Sequence, residues 1–136
     1  MFTGIIEEVG RVVSVKAQDT NITFGIDCSF TAELKVDQSI AHNGVCLTVI
    51  NINGSEFDVD IVNETLEKSN LNSIAEASKI NLERAMRYNQ RVSGHFVQGH
   101  VDTQAKILDI NKTNEWTEIE FEVDSDYKKY CIYKKV

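Results

Sequence analysis

The sequence predicts an all-β protein, built as an antiparallel barrel or sandwich. Up to residue 84, short runs that alternate apolar and polar residues are separated by glycines and Asn-Gly pairs. The apolar pattern of the start then recurs 95 residues later. With 42 % hydrophobic and 26 % charged residues, the chain has the composition of an ordinary globular domain.

The first two strands are predicted at residues 11–16 and 21–28. Residues 11–16 are rich in valine, which favours extended backbone. In residues 21–28 every second side chain is apolar, so one face belongs to a core, namely Ile22, Phe24, Ile26 and Cys28. Gly10 and Gly25 are expected to mark turns beside these runs.

The next strand, residues 45–52, follows an Asn43-Gly44 turn, because both turn residues tolerate positive φ. Alternation turns Val45, Leu47 and Val49 toward the core. It turns Cys46, Thr48 and Ile50 the other way. A thiol and a hydroxyl two residues apart then lie side by side, which suits a surface that holds the edge of a ligand.

A second Asn-Gly pair, Asn53-Gly54, is expected to end this strand, and residues 56–62 form the next one. Its apolar Phe57, Val59 and Ile61 alternate with Asp58, Asp60 and Val62. A helix of one or two turns is predicted within residues 64–77, with Asn63 as its N-cap. Residues 79–84 complete the series as a short strand.

The internal repeat predicts the domain organisation. Gly4 aligns with Gly99, and Arg11-Val12-Val13 aligns with Lys106-Ile107-Leu108. The apolar side chains of the second strand align in phase, Phe24, Ile26 and Cys28 with Ile119, Phe121 and Val123. We therefore expect one complete barrel at residues 1–95 and the first part of a second barrel at residues 96–136.

Charge and composition exclude several partners. A net charge of −7 and a pI near 4.9 disfavour nucleic acid, and no apolar run is long enough for a membrane span. The start of the chain lacks the basic segment of a signal peptide. Three widely spaced cysteines favour reduced thiols in the cytoplasm. His95 and His100 lack further ligands for a metal, so no metal site is predicted.

Several segments together resemble the riboflavin synthases, enzymes made of two lumazine-binding repeats. The resemblance lies in Met1–Ile5, His42–Val49, Asn63–Leu66, Gly94-His95 and Gly99-His100. It covers the whole chain but only part of the family's usual length. It implies a six-stranded Greek-key barrel followed by part of a second. Ser93 departs from the Gly-Gly-His of the family.

The resemblance also implies a reaction. Two molecules of 6,7-dimethyl-8-ribityllumazine exchange a four-carbon unit and give riboflavin and a ribitylamino-pyrimidinedione, without metal or cofactor. In the family the site lies between the first barrel of one subunit and the second barrel of its neighbour in a homotrimer. This chain is therefore expected to bind ligand without full turnover, and to self-associate, most simply as a dimer.

The family's functional residues fall on defined positions here. The resemblance makes Ser39, Cys46 and His100 the candidates for catalysis. The candidates for substrate binding form four segments and one lysine: Gly4, Ile5 and Ile6; Cys46, Leu47 and Thr48; Asp60, Ile61, Val62, Asn63, Glu64 and Thr65; Gly99, His100 and Val101; and Lys134. A glycine lets backbone approach a ring closely, and an imidazole exchanges protons near neutral pH.

Other readings of these residues stay open. Cys46 alone reads as a small buried hydrophobe, Thr48 as an ordinary strand residue and His100 as a histidine beside a turn. A non-catalytic lumazine or flavin carrier, as in the antenna proteins of luminous bacteria, is the alternative function. An oligonucleotide-binding barrel is disfavoured by the acidity and by the lack of an aromatic, basic face.

Overall fold

A computed structural model describes residues 1–131 of the chain. It contains two compact units, Met1–Val101 and the residues from Asp102 onward. The boundary that the repeat predicts, between residues 95 and 96, concerns the duplication of the sequence and stays a prediction. Across the described residues, no helix has the length and apolar character needed to cross a membrane.

The first unit is a closed barrel of six antiparallel strands, which confirms the all-β prediction. The strands are β1 (Glu8–Gln18), β2 (Asn21–Asp27), β3 (Ser39–His42), β4 (Val45–Asn53), β5 (Glu56–Ile61) and β6 (Lys79–Arg84). Their order around the barrel is β1-β2-β5-β4-β3-β6. Successive hairpins join β3, β4 and β5, and β5 then pairs with β2, which makes a Greek key.

Alternation along the strands fills the barrel. Inside lie the predicted core side chains of β2, β4 and β5, together with Ile80 and Leu82 of β6. In β4 the buried residues are Val45, Leu47 and Val49, and Thr48 and Ile50 are exposed, as predicted. Because a strand turns successive side chains to opposite faces, the buried set of each strand fixes what it presents outside.

The first Asn-Gly pair is a turn as predicted, and the second is shifted by one residue. Asn43 and Gly44 have φ of 48° and 89°, and β3 pairs with β4 directly across them. Asn53 instead ends β4 and pairs with Glu56, so that Gly54 and Ser55 form the turn. The positive φ, 64°, falls on Gly54.

Gly10 and Gly25 do not mark turns, which corrects the prediction. They lie inside β1 and β2. A Cβ at Gly10 would lie 2.5 Å from Leu82 Cδ1, and one at Gly25 would lie 2.5 Å from Ser14 Oγ. Their small size is therefore needed for close packing against the neighbouring strand.

A helix of one or two turns is present as predicted, but the predicted N-cap residue is wrong. The helix α1 spans Asn63–Lys68, and a 3-10 turn follows at Asn70–Ser73. Val62, not Asn63, is the N-cap, and the Asn63 amide donates to Glu67 Oε1 at 2.6 Å. The strand β3 was not predicted, because its four residues are too few to show an alternation.

The second unit contains one hairpin that repeats β1–β2. Its strands are β7 (Lys106–Lys112) and β8 (Thr117–Glu122). Ile107 pairs with Phe121 as Val12 pairs with Ile26, and both hairpins have an irregularity one residue further on. The structure therefore follows the 95-residue repeat pair by pair.

Candidate functional site

The start of the chain forms a short antiparallel ribbon with residues near the end of the first unit. Phe2 N–H donates to Val97 O at 2.8 Å, and Val97 N–H donates to Phe2 O at 3.0 Å. His95 N–H donates to Thr3 O at 2.9 Å. We call residues 2–4 and 95–99 the crossing ribbon. Phe2 and Val97 are counterparts in the repeat, so the ribbon joins the beginnings of the two repeats.

The crossing ribbon lies over the outer face of β6, β3 and β4. Glu83 on β6 accepts hydrogen bonds from the start of the ribbon, and Cys46 N–H on β4 donates to Gly99 O at 2.8 Å. Between them Ala41 of β3 pairs with both Glu83 and Cys46. The side chain of Ala41 faces outward and is nevertheless buried, which is expected if the crossing ribbon covers it.

Gly99 lies directly against Cys46. Gly99 has φ of 82°, and a Cβ there would lie 2.8 Å from Cys46 Cβ. Cys46 is a free cysteine that is half-buried in this contact. The next residue, His100, is exposed, and Val101 packs against the barrel core. The structure thus brings together two of the predicted segments, Cys46–Thr48 and Gly99–Val101.

A polar row crosses the outer face of three neighbouring strands. It consists of Ser39 on β3, Thr48 on β4 and Asp60 on β5. Ser39 and Thr48 are paired across the strands, and the pairing of Val49 with Val59 puts Asp60 on the same face as Thr48. Asp60 Oδ1 accepts a hydrogen bond from Thr23 Oγ1 at 2.5 Å, which fixes the carboxylate. The row presents two hydroxyls and a carboxylate.

The apolar side chains beside the polar row, on β4 and at the end of β5, lie either in the core or on the surface. Leu47 and Ile61 face the barrel core, so only their main-chain atoms are available outside. Ile50 and Val62 face outward and are about half exposed, at 42 % and 50 %. The polar row therefore has apolar neighbours, which provide a surface for a flat ring.

The polar side chains of α1 are engaged within the helix. Glu64 Oε1 accepts from Lys68 Nζ at 2.6 Å, and this contact lowers the pKa of Glu64. Asn63 donates to Glu67, as described above, and Thr65 N–H donates to Val62 O at 3.0 Å. These residues lie directly after β5, near the outer face that carries Asp60.

The predicted segment Gly4–Ile6 lies elsewhere. Gly4 has φ of 78°, and its N–H donates to Glu83 Oε2 at 3.0 Å, beside β6. Ile5 and Ile6 are exposed. The structure thus places this segment at the β6 end of the crossing ribbon, whereas Gly99 lies at the β4 end. The predicted Lys134 lies outside the described residues.

An open cavity of about 780 Å³ adjoins the polar row at Ser39. Arg84 lines the cavity and forms ion pairs with Glu7 and Glu33, both at 2.8 Å. The hydrogen bond to Glu7 is the main cause that raises the pKa of Arg84. Cys46, Thr48 and Asp60 lie outside this lining, so Ser39 is the residue of the polar row that the charged cavity reaches.

Within residues 1–131, no group of three His, Cys, Asp or Glu side chains is placed to hold a metal ion. His42 is fully buried in the barrel core, where Nδ1 bonds Ile40 O at 3.0 Å and Nε2 has no partner. Burial lowers the pKa of His42 to about 4. His42 is therefore neutral at pH 7.

The residues that hold the crossing ribbon were not predicted from the sequence. Phe2 is buried at 1 % exposure and Glu83 at 7 %. In the sequence, Glu83 alternates with core residues and so reads as an ordinary solvated strand position. Its partner lies 80 residues away, and a single sequence carries no signal for such a contact.

Comparison with known proteins identifies the family. A model of the lumazine binding domain matches residues 3–85. Riboflavin synthase of Bacillus subtilis (strain 168) is 41 % identical over 135 residues, with 98 % of this chain and 63 % of the relative covered. Riboflavin synthase of Mycobacterium bovis is 38 % identical over 136 residues, with 98 % and 68 % covered. The chain thus spans about 63 % of the length of its Bacillus relative.

Solved structures with this fold include LumP. LumP complexed with riboflavin matches with a TM-score of 0.85 at 19 % identity, over 95 % of this chain and 71 % of LumP. LumP complexed with 6,7-dimethyl-8-(1'-D-ribityl) lumazine matches with a TM-score of 0.83 at 20 % identity, over 93 % and 71 %. The family model and the synthase relatives together show that this chain belongs to the riboflavin synthase family and carries its lumazine binding domain.

Proposed function

We propose that the outer face of the first barrel binds 6,7-dimethyl-8-ribityllumazine and riboflavin, as part of a riboflavin synthase. The observation that carries the proposal is the contact of Gly99 with Cys46. It brings the beginning of the second repeat onto the strand that holds Thr48. Two sequence segments that resemble the family's ligand segments thereby become one surface.

The chemistry of that surface fits the ligand. A lumazine has a flat ring with polar edges and a polyhydroxyl ribityl chain. Ile50 and Val62 offer apolar area to the ring, and the hydroxyls and carboxylate of the polar row offer partners to the polar atoms. The main chain of Leu47 and of residues 61–65 supplies further donors and acceptors.

The repeat assigns the two glycine segments to different sites. Gly99–Val101 serves the first barrel, because Gly99 lies on Cys46. Gly4–Ile6 is its counterpart 95 residues earlier and serves the corresponding site of the second repeat. Gly4 and Gly99 share a positive φ, 78° and 82°, which supports the equivalence.

The proposed reaction is the transfer of a four-carbon unit between two lumazines. His100 is the candidate for moving protons at the reacting methyl group, because an imidazole does so near neutral pH. Cys46 and Ser39 are the candidates for contacts to the reacting ring. Lys134 is a further candidate for substrate binding. For the whole protein we propose a cytoplasmic homotrimer, in which the second barrel of a neighbouring subunit faces the first barrel.

For the 136-residue chain itself we propose binding without full turnover. The described strands of the second unit, β7 and β8, are the counterparts of β1 and β2 only. The counterparts of β4 and β5, which carry the ligand face in the first barrel, are not among the described strands. The reaction needs two lumazines held side by side, and each of them needs a ligand face of its own. Holding two reactants in the correct geometry supplies much of the rate of such a reaction.

The test is a pair of assays on the purified chain. Riboflavin fluorescence should change saturably on titration with the chain. Incubation with 6,7-dimethyl-8-ribityllumazine should produce no riboflavin absorbance above the rate without protein. An unchanged fluorescence at the highest concentration of the chain in the titration would contradict the binding proposal. Formation of riboflavin at about 0.1 per second or faster would contradict the proposal on turnover.

A non-catalytic carrier is the alternative function. LumP has the same fold, and it has been solved in complex with 6,7-dimethyl-8-(1'-D-ribityl) lumazine, with riboflavin and with flavin mononucleotide. Relatives that match at 38 % and 41 % identity over 98 % of this chain are riboflavin synthases, however. That similarity favours the synthase over the carrier.

A further inference from the structure

Glu83, on the outer face of the barrel, accepts three hydrogen bonds. It lies on β6 and is buried at 7 % exposure. Glu83 Oε1 accepts from Thr3 N–H at 2.5 Å and from Thr3 Oγ1 at 2.6 Å. Glu83 Oε2 accepts from Gly4 N–H at 3.0 Å. One carboxylate therefore holds three donors of two successive residues, and charge-assisted hydrogen bonds of this kind are the stronger ones.

These bonds fix one end of the crossing ribbon, and the ligand site lies at the other end. Thr3 continues the network, because Thr3 Oγ1 also accepts from Ile5 N–H at 3.2 Å. Thr3 O accepts from His95 N–H, and Phe2 pairs with Val97. Two residues further on, Gly99 O accepts from Cys46 N–H. A continuous series of hydrogen-bonded segments thus joins Glu83 to the strand that carries Thr48.

We propose that Glu83 is a positioning residue. It holds the crossing ribbon on the barrel, so that Gly99 and His100 stay beside Cys46 at the ligand face. The inference rests on the proposed function, because the position of Gly99 and His100 beside Cys46 matters only if the ligand binds there. Glu83 itself lies at the β6 end of the ribbon and is not proposed to touch the ligand.

The substitution Glu83→Gln is the sharpest probe. Glu83→Gln keeps the size of the side chain and replaces one acceptor oxygen by an NH2 group. Because both oxygens face N–H or O–H donors, one of those donors would then face another donor and lose its partner. The ribbon is held loosely in this variant, although the apolar core is untouched.

Glu8 provides a matched control. Its carboxylate also holds the main-chain N–H and the hydroxyl of one residue, Ser29, at 2.8 Å and 2.5 Å. Glu8 lies at the start of β1 and contributes no bond to the crossing ribbon. Glu8→Gln therefore removes the same kind of contact at another place.

The first measurement is riboflavin affinity by fluorescence titration of the full chain. We expect Glu83→Gln to weaken binding about tenfold, the effect of losing one or two charge-assisted bonds that hold the site. Glu8→Gln should stay within about twofold of the parent. The melting temperature of the barrel, followed by circular dichroism, should be similar in both variants.

The second measurement needs no ligand. Cys46 is half-buried against Gly99 and Cys28 is buried, whereas Cys131 is exposed. Every protein compared therefore carries Cys131→Ser, so that this exposed thiol does not react with the reagent. Alkylation of Cys46 by iodoacetamide, located by mass spectrometry, should be about tenfold faster in Glu83→Gln than in the parent or in Glu8→Gln. Cys28 should react equally slowly in all three and serves as the internal standard.

The outcomes separate the two proposals. If riboflavin binds to none of the proteins but Cys46 becomes reactive in Glu83→Gln, the proposed function is wrong and the positioning role stands. If Glu83→Gln binds riboflavin and protects Cys46 as the parent does, the positioning role is wrong. Should Glu83→Gln fail to fold, Thr3→Val decides, since it removes the hydroxyl that donates to Glu83 and accepts from Ile5 N–H; unchanged affinity and alkylation there overturn the proposal.

Discussion

Three polar side chains on three neighbouring strands carry the chemistry of the candidate site. Ser39, Thr48 and Asp60 share the outer face of the barrel because their strand neighbours are buried inside it. The outward faces of Thr48 and Asp60 were predictable from the sequence, whereas that of Ser39 was not, because β3 is too short to show an alternation. An alternation of apolar residues in β4 and β5 also fixes which polar residues face outward.

Thr48→Val tests the polar row. The change replaces the hydroxyl by a methyl group of similar shape, so a ligand atom loses its partner. We expect riboflavin binding to weaken by about 1–2 kcal/mol, with the melting temperature unchanged. Thr117→Val, on an exposed position of β8, is the control and should leave the affinity as it is. A loss of stability without a loss of affinity would make the Thr48 hydroxyl structural.

His42 predicts how stability depends on pH. Its pKa is about 4 in the folded protein, below the ordinary 6.5 of the unfolded chain. The unfolded chain therefore binds the extra proton first, and the folded state loses stability as the pH falls from about 6.5 toward 4. Between pH 7 and pH 5 the free energy of unfolding should drop by about 2 kcal/mol.

Urea denaturation at these two pH values measures the effect. His42→Leu should lose most of the difference between pH 7 and pH 5, because leucine binds no proton. His95→Gln removes an exposed imidazole and should keep the difference. An equal pH dependence in the parent and in His42→Leu would assign the effect to other groups.

At the scale of the elements, the crossing ribbon is what the sequence did not predict. The strands β4, β5 and β6 follow from local alternation and turn residues. The ribbon depends on contacts such as Phe2 with Val97 and Thr3 with Glu83, which join residues about 80 or more positions apart. Gly10 was misjudged for the same reason, because the side chain that crowds it most closely is Leu82 of β6. Gly25 is crowded by Ser14 of the adjacent strand β1.

Gly99→Ala tests the contact of the ribbon with β4. The alanine Cβ would have to avoid Cys46 Cβ, and a φ of 82° is itself unfavourable for alanine. We expect riboflavin affinity to fall at least about tenfold as Gly99 moves off Cys46. Gly44→Ala is the matched control.

At Gly44 the φ is 89°, but a Cβ would meet nothing within 4 Å. Gly44→Ala should therefore lower stability by about 1 kcal/mol and leave the affinity unchanged. If the two variants bind riboflavin equally well, the contact between Gly99 and Cys46 does not shape the site.

At the scale of the whole molecule, the duplication explains both units. The first unit closes a barrel with six strands, and the second repeats the β1–β2 hairpin with the same pairing. In the second unit Ile107 and Phe121 are about half exposed, whereas their counterparts Val12 and Ile26 are fully buried. The repeat was visible in the sequence because it preserves the apolar phase and not only single residues.

The location of the ligand on the first barrel is the central claim, and amide chemical shifts test it most directly. A 15N-labelled sample of the full chain would be titrated with riboflavin and followed by two-dimensional NMR. The largest shifts should fall on Cys46–Thr48, on Asp60–Thr65 and on Gly99–Val101. Largest shifts at Arg84 and Glu33 in the charged cavity, or along β7 and β8, would contradict the account.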